Sequence, residues 1–125
     1  MVAESLHKEE RLHSFGAIRR LFTEGRGGFV YPLRYMVYGE DCDSPLSAEV
    51  LFSTPKKFHK RANRRNTLRR RMREAYRLNK SLLLDRSDIS RRLQIALVYS
   101  SKEILDYKTI EHATKRILQN ISEQL

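Results

Sequence analysis

The chain has 125 residues, 40% of them hydrophobic, with 25 Lys and Arg against 15 Asp and Glu and a formal net charge of +10. That length supports one domain with a modest core and leaves no room for two. A single cysteine excludes an internal disulfide, and the longest apolar run, Ile95–Tyr99, is far short of a membrane span, so a cytoplasmic protein facing nucleic acid is the first expectation.

The opening stretch, "MVAESLHKEERL", lacks the apolar segment of a signal peptide. Residues 1–10 are expected to be flexible, ahead of a single domain within residues 1–125. From Ser14 onward, Phe15, Ile18, Leu21 and Phe22 recur at helical spacing, which predicts a first helix capped by Ser14 and stopped at Gly25. "RGG" then breaks the chain. Val30–Tyr38 alternates, with Leu33, Tyr35 and Val37 on one side and Arg34, Met36 and Tyr38 on the other, after a Pro32 tolerable only at a strand start or edge. A polar turn, "GEDCDSP", leads to a second alternating run in which Ala48, Val50, Phe52 and Thr54 share a face, and the two runs are expected to pair as a hairpin-like unit. Beyond the basic segment, "LLLDRSDIS" is a connector and Leu93, Ile95, Leu97 and Tyr99 mark another strand. A final helix from about Asp106 carries Ile110, Ala113, Ile117, Leu118 and Ile121 as one apolar stripe. The fold class read from this order, α-β-β-α-β-α with room for an extra short strand, is an α+β sandwich. Helices pack on a mostly antiparallel sheet of about four strands.

Residues 56–80 hold twelve Lys or Arg and one acid, Glu74, and so carry +11; the other hundred residues hold 13 bases and 14 acids and sum to −1. Concentrated like charge destabilises a compact state, so the segment points to a polyanionic partner. On a helical wheel Leu68, Met72, Ala75 and Asn79, with Tyr76 at the edge, form the stripe that lies on the sheet. Asn66, Arg69, Arg70, Arg73 and Arg77 fill an opposing arc, Arg65 stands at the boundary, and Arg64 and Arg71 lie on the far flank. A run of charge is ordinarily a solvated face. Here acids are almost absent and Arg outnumbers Lys, and the guanidinium fork matches phosphate oxygens and stacks on bases. A basic zipper is excluded because only "LNKSLLL" follows Arg77 before the break at "DRSD". No Cys/His spacing supports a zinc finger, and no aromatic motif supports a sheet that reads RNA bases.

"STPKKFHKRANRRNTLRRRMREAYRLNK" resembles the signature of the bacterial ribonuclease P protein subunit: paired lysines at a strand end, an Arg-Asn-Arg motif with further basic residues on a helix, and a Glu-Ala-aromatic ending. "RLHSFGAIRRLFTEG" is similar to that family's first helix, and the remaining elements follow in its order. The resemblance implies the fold of the second domain of ribosomal protein S5. It also implies that Arg65, Asn66, Arg69, Arg70 and Arg73, with Arg64 and Arg77 beside them, bind the catalytic RNA. Thr67 departs from the pattern, standing where the motif has its third Arg, and His59 replaces a small residue after the lysines. A cleft for the single-stranded 5′ leader of precursor tRNA would use Phe22 on the first helix and Tyr35 or Tyr38 on the strand. Lys56, Lys57 and Arg61 would be its basic rim. Ile18 occupies the place of a second aromatic on the helix, and ordinary core packing is the competing reading for Phe22 and Tyr35.

The resemblance further implies a subunit without catalytic residues. A large RNA would hydrolyse the phosphodiester with Mg²⁺ that it binds itself, and the protein would neutralise phosphate and position substrate. The partners are then the catalytic RNA and precursor tRNA, with neither a membrane nor a small-molecule substrate. His7, His13, His59 and His112 show no ligand spacing and the acids form no cluster, so no protein-held metal and no protein-only nuclease is expected. An RNA-binding module of ribosomal or assembly-factor type is the alternative that composition equally permits.

Overall fold

A computed structural model of the chain describes residues 10–125; apart from Glu10, the segment expected to be flexible lies outside the described residues, as does His7. Helix α1 (Phe15–Glu24) starts at Ser14, whose hydroxyl accepts from the Ala17 amide, and ends at Gly25, whose amide donates to the Leu21 carbonyl. Strands β1 (Arg26–Val30) and β2 (Leu33–Asp41) follow, joined through Tyr31 and a cis Pro32. Next come β3 (Ser47–Ser53), the basic helix α2 (Ala62–Asn79), a single turn α3 (Ser81–Leu84), β4 (Arg91–Tyr99) and α4 (Tyr107–Glu123).

The "RGG" stretch is therefore not a break but the first strand. Its glycines allow a close approach: a Cβ on Gly28 would lie 2.5 Å from the Tyr35 hydroxyl, and one on Gly27 2.7 Å from Met36 Sδ. The sheet order is β1-β2-β4-β3. β2 and β3 do not form the expected hairpin, because β4 enters between them, antiparallel to β2 and parallel to β3. Burial explains the choice. β4 is buried on both faces from Leu93 to Leu97, which requires a central position, and α2 is the crossover that a parallel β3–β4 pair needs.

Each face of the sheet has its own cover. Leu33, Tyr35, Val50, Leu93, Ile95, Leu97 and Tyr99 pack against α2 and α4 through Leu68, Met72, Ala75, Tyr76, Ile110, Ile117 and Ile121. On the other face α1 sets Leu21 with Ala17 and Ile18 against Met36, Tyr38, Leu51, Ala96 and Leu12. The arm before α1 lies on the outer side of β3: Arg11 bridges to Val50, and the Leu12 amide donates to the Val50 carbonyl at 3.0 Å. Lys80, almost fully buried at the end of α2, holds Glu10 at 2.8 Å.

Candidate nucleic-acid interface

The helix α2 buries the predicted stripe, so its guanidiniums are left to the outer side. Leu68, Met72, Ala75 and Tyr76 are buried, while Arg64, Asn66 and Arg70 are exposed and Arg65, Arg69, Arg73 and Arg77 are half-buried. The wheel places Asn66, Arg69, Arg70, Arg73 and Arg77 in one arc, but the surroundings divide them between two margins.

Towards β3, Arg69 and Arg73 meet Arg11 of the N-terminal arm around a hollow of about 230 Å³, floored by Leu12, Val50, Leu51 and Phe52. Arg69 Nη2 also donates to Thr54 Oγ1 at 3.0 Å, fixing the helix to the end of β3. Burial, reinforced by the repulsion of Arg11 and Arg69, draws the Arg73 pKa below its ordinary value. Three guanidiniums in one concavity repel one another and attract a shared anion. Arg11 is a contributor that sequence reasoning missed, since the link from arm to helix is made only through β3.

Towards α4, Arg70 and Arg71 border a second hollow of about 220 Å³ with Glu74 and Tyr107. Arg71 donates to the Leu105 carbonyl at 2.6 Å and so secures the loop before α4. Arg77 grips Glu74 through Nε at 3.2 Å and Nη2 at 2.5 Å, and that bond holds the Glu74 carboxyl below its usual range. Arg77 is thus committed to a neighbour on its own helix, while Arg70 has no such tie among the described residues. Thr67 donates to the Asn63 carbonyl one turn back, so this position presents no cation. Arg65 Nε is buried and has no hydrogen-bond partner among the described residues.

The turn into α2 exposes Lys56, Lys57, Lys60 and Arg61. His59 is buried beneath them, Nε2 donating to the Ser101 carbonyl at 2.8 Å and the ring 5.8 Å from that of Tyr99. It anchors the basic turn to the loop after β4. On the α1 face, Phe22 is exposed and Phe15 almost completely so. Tyr35 does not face them: its ring is buried in the core on the α2/α4 side, because alternation turns Arg34, Met36 and Tyr38 towards α1. Tyr38 lies on the α1 side, and Arg20, ion-paired to Glu40 at 2.6 Å, stacks over its ring with the guanidinium carbon 4.8 Å from the centroid.

Among the described residues no group of three or more His, Cys, Asp or Glu is placed to hold a metal ion, and no helix is long and apolar enough to cross a membrane. The arrangement offers cations, aromatic rings and hydrogen-bond donors.

The profile of the Ribonuclease P family matches residues 6–122. A ribonuclease P protein component from Porphyromonas gingivalis is 38% identical over 122 residues, covering 94% of this chain and 86% of that protein. One from Chlorobium phaeobacteroides is 34% identical, covering 94% and 88%. In fold the chain is similar to the RNase P protein from Thermotoga maritima, with a TM-score of 0.69 at 21% identity, covering 89% of this chain and 96% of that one. It is also similar to a Staphylococcus aureus RNase P protein mutant with defective mRNA degradation activity, with a TM-score of 0.71 at 16% identity, covering 91% and 89%.

Proposed function

The chain belongs to the ribonuclease P family of protein components, and from that premise we propose that it docks on the catalytic RNA through α2 and holds the single-stranded leader of precursor tRNA on the α1 side of the sheet. The observation that carries the docking is the convergence of Arg69 and Arg73 with Arg11, beside the exposed Arg64, Asn66 and Arg70. A fold that sets three cations around one hollow is completed by a backbone phosphate. Arg65 adds a donor at the boundary of this face. Arg77, shared with Glu74, is the weakest member of the set.

For the leader, Phe22 offers a stacking surface on α1, and Lys56, Lys57 and Arg61 supply charge along the rim. Tyr35 takes no part in this reading, because its ring is in the core. The chain's own work is to neutralise phosphate and to fix the leader's path, which presents the scissile bond to the RNA. In this reading the protein works in the cytoplasm, the metal chemistry belongs to ions carried by the RNA, and no step is routed through this chain.

The deciding experiment is cleavage of precursor tRNA by purified catalytic RNA at low Mg²⁺, with and without the protein. Stimulation of leader removal supports the proposal. Tight binding to the catalytic RNA without stimulation would leave an RNA-binding module of ribosomal or assembly-factor type.

A further inference from the structure

The α1 helix covers only part of its face of the sheet. By the strand register, Phe29, Arg34, Val98 and Ser53 stand side by side across all four strands, in the row next to the Met36–Ala96–Leu51 row on which α1 packs. None of the four is buried. Phe29 is 49% exposed and Tyr31, in the turn that follows, 52%. Their rings meet edge to face with centroids 6.4 Å apart, and the Arg34 guanidinium lies 5.4 Å from the Phe29 centroid. Two neighbouring aromatic rings left in water forgo the gain of burial, and a guanidinium stacked on one of them adds a cation to the same surface.

This surface is tied to the basic turn before α2. The Tyr31 hydroxyl and the Ser101 hydroxyl are 2.9 Å apart, and the carbonyl of Ser101 takes the hydrogen bond from His59, beneath Lys56, Lys57 and Arg61. Glu103 accepts from the Tyr31 hydroxyl at 3.3 Å and helps to orient the ring; it is the acid that touches the pair. One end of the sheet thus carries exposed aromatic faces at the β1–β2 turn and exposed cations at the β3–α2 turn, with Ser101 as the buried link. Rings for bases and cations for phosphates, side by side, are what a single-stranded nucleic acid requires.

We propose that Phe29 and Tyr31, with Arg34, form a stacking platform for bases of single-stranded RNA, separate from the α1 surface around Phe22. The proposal rests on the leader-binding reading and extends it: the platform takes leader bases beyond those that Phe22 contacts. It also answers a gap on the α1 face, where the strand residues are Met36 and a Tyr38 whose ring already carries Arg20.

The test uses the protein assembled with catalytic RNA, and precursor tRNAs with leaders lengthened one nucleotide at a time. 2-Aminopurine is placed at successive leader positions to report stacking. Phe29→Ala is expected to leave the affinity for short leaders unchanged and to lower that for long leaders roughly 5- to 150-fold, the range for one base stacked on an aromatic ring. It should also abolish fluorescence quenching at a position that Phe22→Ala leaves quenched, and Phe29→Trp should restore both. Since Phe29 is half exposed, the alanine variant is expected to fold, which circular dichroism checks. If Phe29→Ala matches the unaltered protein at every leader length while Phe22→Ala does not, the platform is overturned and the α1 reading survives. If leader length has no effect even on the unaltered protein, the leader reading and the platform fall together. Loss of affinity for the catalytic RNA on Phe29→Ala would assign the turn to that RNA and overturn the proposal.

Discussion

Arg70 and Arg77 provide the sharpest test of whether α2 binds RNA through particular side chains or through charge alone. Both lie in the arc opposite the buried stripe, yet Arg70 is exposed without an ion-pair partner among the described residues, whereas Arg77 is held by Glu74. A hydrogen-bonded contact from a free guanidinium to phosphate contributes about 1.5–3 kcal/mol, so Arg70→Ala should weaken binding of the catalytic RNA roughly 10- to 150-fold. It should also reduce the slope of log K against log salt by about 0.7–0.9, the share of one phosphate. For Arg77 the neighbouring carboxylate offsets the charge, and Arg77→Ala should cost under about 1 kcal/mol. Glu74→Gln should narrow that gap, strengthening binding and raising the cost of losing Arg77. Arg116, exposed on α4, is the control and should change neither quantity. Filter binding or fluorescence anisotropy over a salt series gives all of these numbers. Equal losses for Arg70→Ala and Arg116→Ala would refute the reasoning, because the surface would then act as undirected charge.

Three further outcomes follow from the packing. Arg73→Met should raise the thermal midpoint at low salt, since Arg73 is repelled by Arg11 and Arg69, and should shrink the extra stabilisation that sulfate gives over chloride at equal ionic strength. An anion at a hundred times its Kd contributes about 2.7 kcal/mol, so sulfate should shift the unaltered protein by several degrees. Burial raises the phenol pKa values of Tyr76 and Tyr99, and that of Tyr107 goes up to about 12 from an ordinary 10.0. Raised acids favour the proton-bound fold, so their stabilisation is intact below pH 10 and is lost as pH rises through the folded values. Tyr76→Phe, which removes a buried hydroxyl with no hydrogen-bond partner among the described residues, should therefore cost nothing at pH 7 and flatten the alkaline decline of a urea-unfolding series. Leu21→Ala empties the one fully buried position of α1 and should cost about 2–5 kcal/mol of stability. In the assembled enzyme it should reduce discrimination between precursor and mature tRNA more than affinity for the catalytic RNA.

Local signals carried α1, α2 and α4: caps at Ser14 and Gly25, the Leu68–Met72–Ala75 stripe and the Asp106 start are written within a few residues of where they act. Strand order was not legible in that way. Pairing of neighbouring strands is the default, and only the near-continuous apolar run of β4 and the helix between β3 and β4 hinted at a central strand with a parallel partner. Strand β1 was hidden because "RGG" reads as a turn, and its reason lies in the partner strand, where the Tyr35 ring and Met36 Sδ leave no space for a Cβ. The alternation of Tyr35 and Tyr38 was clear, but helices cover both faces, so alternation could not say which side faced α1. The division of the arginines had the same origin, apart from Glu74 three residues before Arg77, a spacing at which opposite charges meet on a helix.

The short arm ahead of α1 has a consequence for how copies of the chain meet one another. Strand β3 is the sheet's outermost strand, and its free backbone groups would template a strand from a second molecule, which is how open sheet margins seed aggregates. Leu12 occupies that margin with its amide on Val50, and the buried Lys80 grips Glu10 to keep the arm in place. The opposite margin, β1, is five residues long, glycine-rich and led by Arg26, a poor template by length and by charge. The arm is thus a guard against self-association, which matters most when the chain is made in excess of its RNA and nothing else covers the sheet.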